Sequence, residues 1–147
     1  MVKEEKFKDI IDEALPLLTK HWKELANHQD IRPLDINFEA YEQMNDLGLI
    51  RVFTVREDEK LVGYASFCIN YNLHYKTWKH AICDVYYIAP EKRTLGFGSK
   101  MFSEIEGMLR DLGVNSVIVQ DKVKQSNAKF FQALGFGISE QHYEKVL

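Results

Sequence analysis

The sequence has few of the residues that mark specialised chain architectures. It contains 8 Gly and 3 Pro in 147 residues, which excludes a collagen-like or low-complexity chain. Its only two cysteines, Cys68 and Cys83, lie in apolar, strand-like runs, so we expect no disulfide framework. No Cys or His cluster has zinc-ligand spacing, and we expect no metal site. With 46% hydrophobic and 12% aromatic residues the chain is able to bury its own core, and we expect one domain over residues 1–147.

An excess of positive charge and long hydrophobic runs are also missing. The 19 Lys and Arg against 22 Asp and Glu give a net charge of -3, which argues against nucleic acid or a membrane surface as the partner. No apolar run approaches the roughly 18 residues of a transmembrane helix. The N-terminal residues MVKEEKFKDII lack the apolar core of a secretory signal. We therefore expect a cytoplasmic protein with reduced cysteines.

The first part of the chain predicts two helices. Apolar residues between Phe7 and Leu25 recur at the three- and four-residue spacing of an amphipathic helix. Pro16 lies inside this segment and predicts a kink or a break, because it removes a hydrogen-bond donor. Residues 2–7 alternatively form a short first strand. Asn37 is expected to cap a second helix that ends near Gly48.

The rest of the chain alternates strand-like and helical patterns, separated by turn residues. The predicted elements are strands over 49–56, 61–71 and 81–88, a helix from about Gly98 to Gly113, a strand over 114–120, a helix over 126–134 and a last strand over 141–147. This order predicts an α/β fold with a mixed central β-sheet flanked by helices.

The most informative segment is the loop between the strand that ends at Ile88 and the helix that follows. It contains the pattern R-x-x-G-x-G, formed by Arg93, Gly96 and Gly98. The first turn of a helix has unpaired backbone N–H groups and a partial positive charge, and glycines let that backbone approach a ligand closely. The loop therefore predicts a pyrophosphate cradle, with Arg93 as an additional charged donor. A tight turn without a ligand is the alternative; the P-loop and dinucleotide patterns are absent.

At these residues the sequence resembles the GNAT superfamily of acyl-coenzyme A-dependent N-acyltransferases. The family signature, [R/Q]-x-x-G-x-[G/A] after a strand ending V-x-P, is similar to the run from Tyr87 to Gly98. The resemblance extends to Leu61–Tyr64 in the hairpin and to the late helix FFQALGF at 130–136. It covers roughly residues 50–136 and implies a GNAT-like fold.

The resemblance also implies an enzyme with acetyl-CoA as cosubstrate and no metal. It implies that the main chain of Tyr86, Tyr87 and Ile88 pairs with the pantetheine arm of the cofactor. The Ile88 amide is then directed at the thioester carbonyl. The pyrophosphate is expected on the backbone of Arg93, Thr94, Leu95, Gly96, Phe97, Gly98 and Ser99. Lys92, Lys100 and Lys129 are either further phosphate ligands or ordinary surface lysines.

Two positions depart from the family pattern. Family members often carry a tyrosine four residues before the G-F glycine, where it protonates the departing thiolate, and here that residue is Phe131. Asn127 lies three residues later than the usual asparagine, so it either binds the cofactor or caps the helix. The proton for the thiolate is then expected from Tyr86, Tyr87, Tyr143, water or the attacking amine itself.

Three side chains are candidates on the acceptor side. Asp84 lies in an apolar strand run, where burial of an unpaired acid is costly, so we expect the residue to have a specific role. Strand alternation places it on the face of Tyr86 and Ile88. We expect Asp84 to deprotonate or anchor the acceptor amine; a structural acid is the alternative. His74 and Tyr75 end the preceding strand and are expected to line the acceptor pocket, with His74 acting near neutral pH. A polar hairpin loop is their alternative role.

The predicted function is transfer of an acetyl group from acetyl-CoA to a primary amine, which attacks directly within a ternary complex. The acceptor is a small-molecule amine or a protein lysine or N-terminus. We expect the acceptor to be selected by the first two helices, by the 72–80 loop or by the second subunit of a homodimer. The alternative is a GNAT-like binding or regulatory module that acts through a protein partner.

Overall fold

The computed structural model of the protein describes all residues, 1–147. Its elements are β1 (Val2–Glu4), α1 (Phe7–Leu25), α2 (Phe38–Asp46), β2 (Ile50–Glu57), β3 (Lys60–Tyr71), β4 (Lys79–Ile88), a 3-10 turn (Pro90–Leu95), α3 (Phe97–Asp111), β5 (Ser116–Ile118), a second 3-10 turn (Val123–Gln125) and α4 (Ala128–Ala133). The strands lie in the order β1-β2-β3-β4-β5, antiparallel except for the parallel pair β4 and β5. This confirms the predicted α/β fold with a mixed sheet.

Helices cover both faces of this sheet. On one face, Phe7 and Ile10 of α1 pack with Tyr64 and Tyr87 of the sheet. On the other face, the apolar stripe of α3, which includes Met101, packs on the sheet together with α4. None of the helices combines the length and hydrophobicity needed to span a bilayer.

Helix α1 runs through Pro16 without a break, so of the two predicted effects of Pro16, a kink or a break, the break is wrong. Proline inside a helix costs about 3 kcal/mol or more. The buried stripe of the helix outweighs this cost, because each fully buried large apolar side chain contributes roughly 1.5–3 kcal/mol. The stripe consists of Phe7, Ile10, Ala14 and Leu17. Pro16 itself is exposed to solvent. The short first strand precedes this helix, so residues 2–7 are shared between the two predicted elements.

A β-bulge in β4 places Asp84 on the face opposite to the one expected. Cys83 pairs with Phe67 and Val85 pairs with Ser66, which leaves Asp84 as an extra residue without a partner. A bulge of this kind interrupts the alternation of side chains along a strand. Asp84 and Val85 therefore both face the side of α1 and α2. The expectation that Asp84 shares a face with Tyr86 and Ile88 is wrong, and the residue is exposed rather than buried.

Strands β4 and β5 separate beyond a short region of pairing. Only His80, Ala81 and Ile82 pair with β5, whose last residue is Ile118. The part of β4 from Cys83 to Ile88 continues with no strand on this edge. The parting of the two strands opens a cleft between the end of β4 and the segment that leads into α4.

The chain after α4 departs from the prediction. Residues 141–147 form no strand, so the expected last strand is wrong. Their side chains are exposed and make no core contacts; Tyr143 is 90% exposed, for example. The tail contacts the loop before α2 through an ion pair of 2.5 Å between Glu144 and Arg32. Without a buried face, this segment has no packing partner that would stabilise a strand.

Candidate active site

The loop after β4 ends in an open helix N-terminus. Gly96 has a φ of 77°, in the left-handed region that favours glycine, and it directly precedes α3. The first helical hydrogen bond of α3 runs from the amide of Lys100 to the carbonyl of Gly96 over 3.0 Å. The amides of Phe97 to Ser99 precede that bond, and no side chain caps them. They are donors available to an anion at the positive end of the helix dipole.

We call the opening between β4 and the start of α4 the β4–β5 cleft; it has a volume of about 480 Å³. Its lining residues are Glu24, Leu25, Tyr86, Tyr87, Ile88, Arg93, Gly98, Met101, Phe102, Gln125, Ser126, Asn127 and Phe130. The amide of Ala89 donates to the Val62 carbonyl on β3 over 2.8 Å. Because successive strand amides point to opposite edges, the Ile88 amide is directed away from β3, towards the cleft.

The charged side chains near this loop are paired with acids of the same chain. The Arg93 guanidinium forms a two-pronged pair with Glu24 of α1, at 2.5 and 2.8 Å, and also donates to the Ile88 carbonyl over 3.0 Å. This pairing holds the pKa of Glu24 below its ordinary value. Lys92 pairs with Glu57, and Lys100 lies 3.7 Å from Glu104. In this structure the loop therefore offers its backbone, rather than free cationic side chains, to a ligand.

A second opening lies between α1 and the sheet, and we call it the α1 cavity; its volume is about 360 Å³. Its lining residues are Phe7, Ile10, Ile11, Ala14, Leu18, His21, Trp22, Leu25, Ala26, Leu34, Ile36, Tyr41, Val52, Tyr64, Ala65, Ser66, Cys83, Asp84, Val85, Tyr86, Gln120, Lys122, Gln125 and Asn127. Leu25, Tyr86, Gln125 and Asn127 also line the β4–β5 cleft, so the two openings share a wall.

Asp84 borders the α1 cavity and is held in place by two hydroxyl groups. Its Oδ2 atom accepts hydrogen bonds from Tyr41 of α2 and, over 3.2 Å, from Ser66 of β3. Burial and the adjacent carboxylate raise the pKa of Tyr41 well above its ordinary value, so the Tyr41 hydroxyl stays protonated and donates. The bulge described above explains this arrangement, because it turns Asp84 towards α2.

Tyr86 and Asn127 meet on the wall that the two openings share. The Asn127 side-chain amide donates to the Tyr86 hydroxyl oxygen over 3.1 Å, so the hydroxyl keeps its own proton for another acceptor. Burial raises the pKa of Tyr86. The Tyr86 ring packs edge-on against Phe102 and Phe131. Asn127 occupies the N-cap position of α4, but its side chain makes no capping hydrogen bond, so the capping alternative for this side chain is wrong.

His21 is a site residue that the sequence analysis missed. It lines the α1 cavity, shares a hydrogen bond of 2.7 Å with the Tyr64 hydroxyl and stacks on Tyr87 at 4.8 Å between ring centroids. Burial lowers its pKa to about 4, so the imidazole is neutral near pH 7. The available signal was its position: His21 follows Ala14 and Leu17 at the helical spacing of the buried stripe.

Several predicted residues lie away from both openings. The backbone amides of His74 and Tyr75 donate to the Asn72 side chain at the tip of the β3–β4 loop, and both residues are exposed. That tip adjoins the start of β4, and the nine steps along the strand to Ile88 span about 30 Å. Tyr143 contacts Gln141 in the exposed tail. Tyr87, by contrast, lines the β4–β5 cleft, and its hydroxyl donates to Glu24 over 3.0 Å.

Comparison with known proteins gives one family match. The family model described as the acetyltransferase (GNAT) family matches residues 9–136. No curated protein sequence matches the chain.

Solved structures share the fold over the whole chain. An aminoglycoside acetyltransferase from an uncultured soil metagenomic sample, in complex with trehalose, has a TM-score of 0.79 at 16% identity, covering 100% of this chain and 95% of that one. A ribosomal-protein-alanine N-acetyltransferase from Brucella melitensis biovar Abortus 2308 has a TM-score of 0.73 at 15% identity, covering 100% and 99%. A transcriptional regulator from Bacillus halodurans C-125 has a TM-score of 0.80 at 15% identity, covering 100% and 99%. At these identities the likeness shows a common fold.

Proposed function

Because the chain belongs to the acetyltransferase (GNAT) family and is an acetyl-CoA-dependent acetyltransferase, we propose that it acetylates a primary amine, which attacks the thioester directly in a ternary complex. One observation carries the proposal: the β4–β5 cleft and the α1 cavity share a wall at Tyr86 and Asn127. Reactants that occupy the two openings meet at this wall. Holding two reactants in contact removes much of the entropic barrier of a bimolecular step.

The residues of the β4–β5 cleft fit a long, polyanionic thioester cofactor. The uncapped amides of Phe97 to Ser99 are suited to a pyrophosphate. The free edge of β4 offers main-chain groups to an extended amide chain, as an added strand would use them. The Ile88 amide at the end of that edge is suited to polarise a carbonyl oxygen.

Bound acetyl-CoA supplies an acetyl thioester, so that the amine nitrogen gains the acetyl carbon while the carbon–sulfur bond breaks and the sulfur leaves as a thiolate. The nitrogen has to lose a proton, and the thiolate has to gain one. Asp84 is positioned to anchor the acceptor and to take its proton, directly or through water, since Tyr41 and Ser66 fix its carboxylate at the cavity. Tyr86 is the proposed proton donor to the sulfur, because Asn127 leaves its hydroxyl proton free.

Phe131 favours a second candidate function, a binding or regulatory module. It occupies the position of the usual family acid, is 6% exposed and has no ionisable group. A chain that binds acetyl-CoA without transferring the acetyl group would need no such acid. Acetyl-CoA binding with no thiol release from any acceptor would favour this alternative.

The direct test combines two measurements on the same preparation. Calorimetry with acetyl-CoA tests the cleft, and thiol release across a panel of primary amines tests transfer. Asp84→Asn is expected to lower kcat/KM for the amine by about 100-fold, a typical loss when an acid–base group is removed, while acetyl-CoA affinity is retained. Lys20→Gln, on the exposed side of α1, is the matched control and is expected to behave as the parent. Absence of acetyl-CoA binding would exclude the proposed function, and full activity of Asp84→Asn would remove Asp84 from the mechanism.

A further inference from the structure

The α1 cavity is apolar over most of its wall. Of its 24 lining residues, 17 are hydrophobic. One side of α1 contributes Phe7, Ile11, Leu18 and Trp22, and the loop before α2 contributes Leu34 and Ile36. Binding of an apolar ligand to such a wall is favourable, because it removes the apolar surface of the ligand from water. A strongly hydrated ligand gains no such stabilisation there.

The charges on this wall are few and oppose each other. Asp84 is the only carboxylate that lines the cavity, and Lys122 is the only lysine. His21 adds no charge near neutral pH, because burial lowers its pKa to about 4. A ligand with several ammonium groups would therefore find one anionic partner. Its remaining charges would lie against apolar side chains or near Lys122, and an unpaired charge in such surroundings is costly.

From this combination we propose that the acceptor is an amine with a single ammonium group on an apolar body, aromatic or branched aliphatic, bound in the α1 cavity with its nitrogen at Asp84. The proposal rests on the acetyl transfer proposed above and specifies its substrate class. The volume of about 360 Å³ lies at the small end of ligand sites. This volume suits an apolar ligand body such as a phenylethyl group.

Acceptor competition tests the proposal. We expect 2-phenylethylamine to have a kcat/KM that exceeds the value for ethylamine by about 100-fold or more, since one methylene in a fitted apolar pocket is already worth roughly 10- to 200-fold. It is also expected to exceed the values for spermidine, for the aminoglycoside sisomicin and for a lysine-containing peptide. Preference for any of these last three overturns the proposal.

A substitution in the apolar wall, with a matched control, tests the apolar contribution to acceptor selection. Leu18→Gln places a polar side chain on the wall and is expected to lower kcat/KM for 2-phenylethylamine about tenfold, with little change for ethylamine. Lys20→Gln on the exposed side of the same helix is the control and is expected to leave both values unchanged. Equal losses for both amines in Leu18→Gln would contradict a role of the wall in selection.

Binding measured without acetyl-CoA makes the test independent of turnover and of any folding defect in Leu18→Gln. Calorimetry is expected to show that 2-phenylethylamine and its neutral analogue 2-phenylethanol both bind the parent protein. Asp84→Asn is expected to weaken the amine about tenfold and to leave the alcohol unchanged, because an ion pair is lost only for the amine. Binding of neither compound overturns the acceptor class.

The same measurements distinguish failure of the inference from failure of the proposed function. Binding of 2-phenylethylamine without its acetylation, in a protein that binds acetyl-CoA, contradicts acetyl transfer and retains the ligand class of the cavity. Efficient acetylation of spermidine without acetylation of 2-phenylethylamine retains transfer and overturns the ligand class.

Discussion

Tyr86 is the proposed proton donor to the departing thiolate, and two kinds of contact hold its side chain. Its hydroxyl oxygen accepts a hydrogen bond from Asn127, and its ring is fixed by edge-on contacts with Phe102 and Phe131. The ring contacts place the hydroxyl on the wall between the two openings. Phe131 thus supports, by packing, the phenol that we propose in place of the usual acid.

Tyr86→Phe is expected to lower kcat by about 100-fold, because proton donation to a leaving group contributes roughly 100- to 10,000-fold. Acetyl-CoA affinity is expected to change little, since the ring contacts remain. Tyr71→Phe, at an exposed tyrosine on β3, is the matched control. Stopped-flow detection of thiol release checks the prediction, and an unchanged kcat would assign the proton to water or to the amine.

His21 makes the stability of the protein depend on pH in the mildly acidic range. The folded state holds the His21 pKa at about 4, whereas the unfolded value is near 6.5. Below pH 6.5 the unfolded chain gains a proton that the folded chain lacks. Stability is therefore expected to fall as the pH drops from 6.5 to 4, by at most about 3 kcal/mol from this residue.

His21→Gln retains a hydrogen-bonding side chain for Tyr64 and does not titrate. Its free energy of unfolding is expected to fall less steeply than that of the parent between pH 6.5 and 4. Urea unfolding at several pH values measures this slope. His142→Gln, in the exposed tail, is the control and is expected to follow the parent; identical slopes for His21→Gln and the parent would contradict the lowered pKa.

At the scale of elements, the start of α3 was predictable and the path of β4 was not. Gly96 and Gly98 are local signals, because a positive φ and an open helix N-terminus require particular residues at particular positions. The bulge at Asp84 depends on how β3 and β4 pair, since two residues on β4 lie opposite one on β3. Regular alternation therefore placed Asp84 on the wrong face of the sheet.

Gly96→Ala tests the local signal. Nothing lies within 4 Å of a Cβ at this position, so the strain comes from the φ of 77°, which costs a non-glycine residue about 1–2 kcal/mol. We expect a lower melting temperature and about tenfold weaker acetyl-CoA binding, because the loop has to change shape.

Gly107→Ala is the matched control for this variant, since it lies within α3, where a Cβ also meets nothing within 4 Å. There the same substitution is expected to stabilise the protein by roughly 0.5–1 kcal/mol and to leave binding unchanged. Thermal unfolding and calorimetry measure both variants, and equal behaviour of the two would show that the positive φ at Gly96 carries no role.

At the scale of the whole molecule, the pair between Glu24 and Arg93 joins α1 to the loop before α3. These residues are 69 positions apart in sequence, and the pair links a helix that walls the α1 cavity to the loop of the β4–β5 cleft. It also shows why the charge of the loop was not predictable. The sequence locates the cation of Arg93, but the partner comes from a distant helix. The predicted strand over 141–147 failed for a related reason, because no distant element packs on it.

Glu24→Gln is expected to strengthen acetyl-CoA binding by about threefold at low salt, because it removes a negative charge from the rim of a cleft for a polyanion. The gain is expected to disappear at high salt. Glu42→Gln, on the exposed side of α2, removes the same charge elsewhere and serves as the control. Weaker binding in Glu24→Gln would show that the pair instead holds Arg93 and its loop in the binding geometry.

The shared wall between the two openings affects how such a chain diverges over evolutionary time. Only four of the residues that line the α1 cavity also line the β4–β5 cleft. Mutations at Ile11 or Leu18 therefore reshape one opening while the lining of the other is inherited intact. If the α1 cavity holds the acceptor and the β4–β5 cleft holds acetyl-CoA, as proposed, a descendant lineage is able to exchange one amine for another in single steps while the cofactor site is retained.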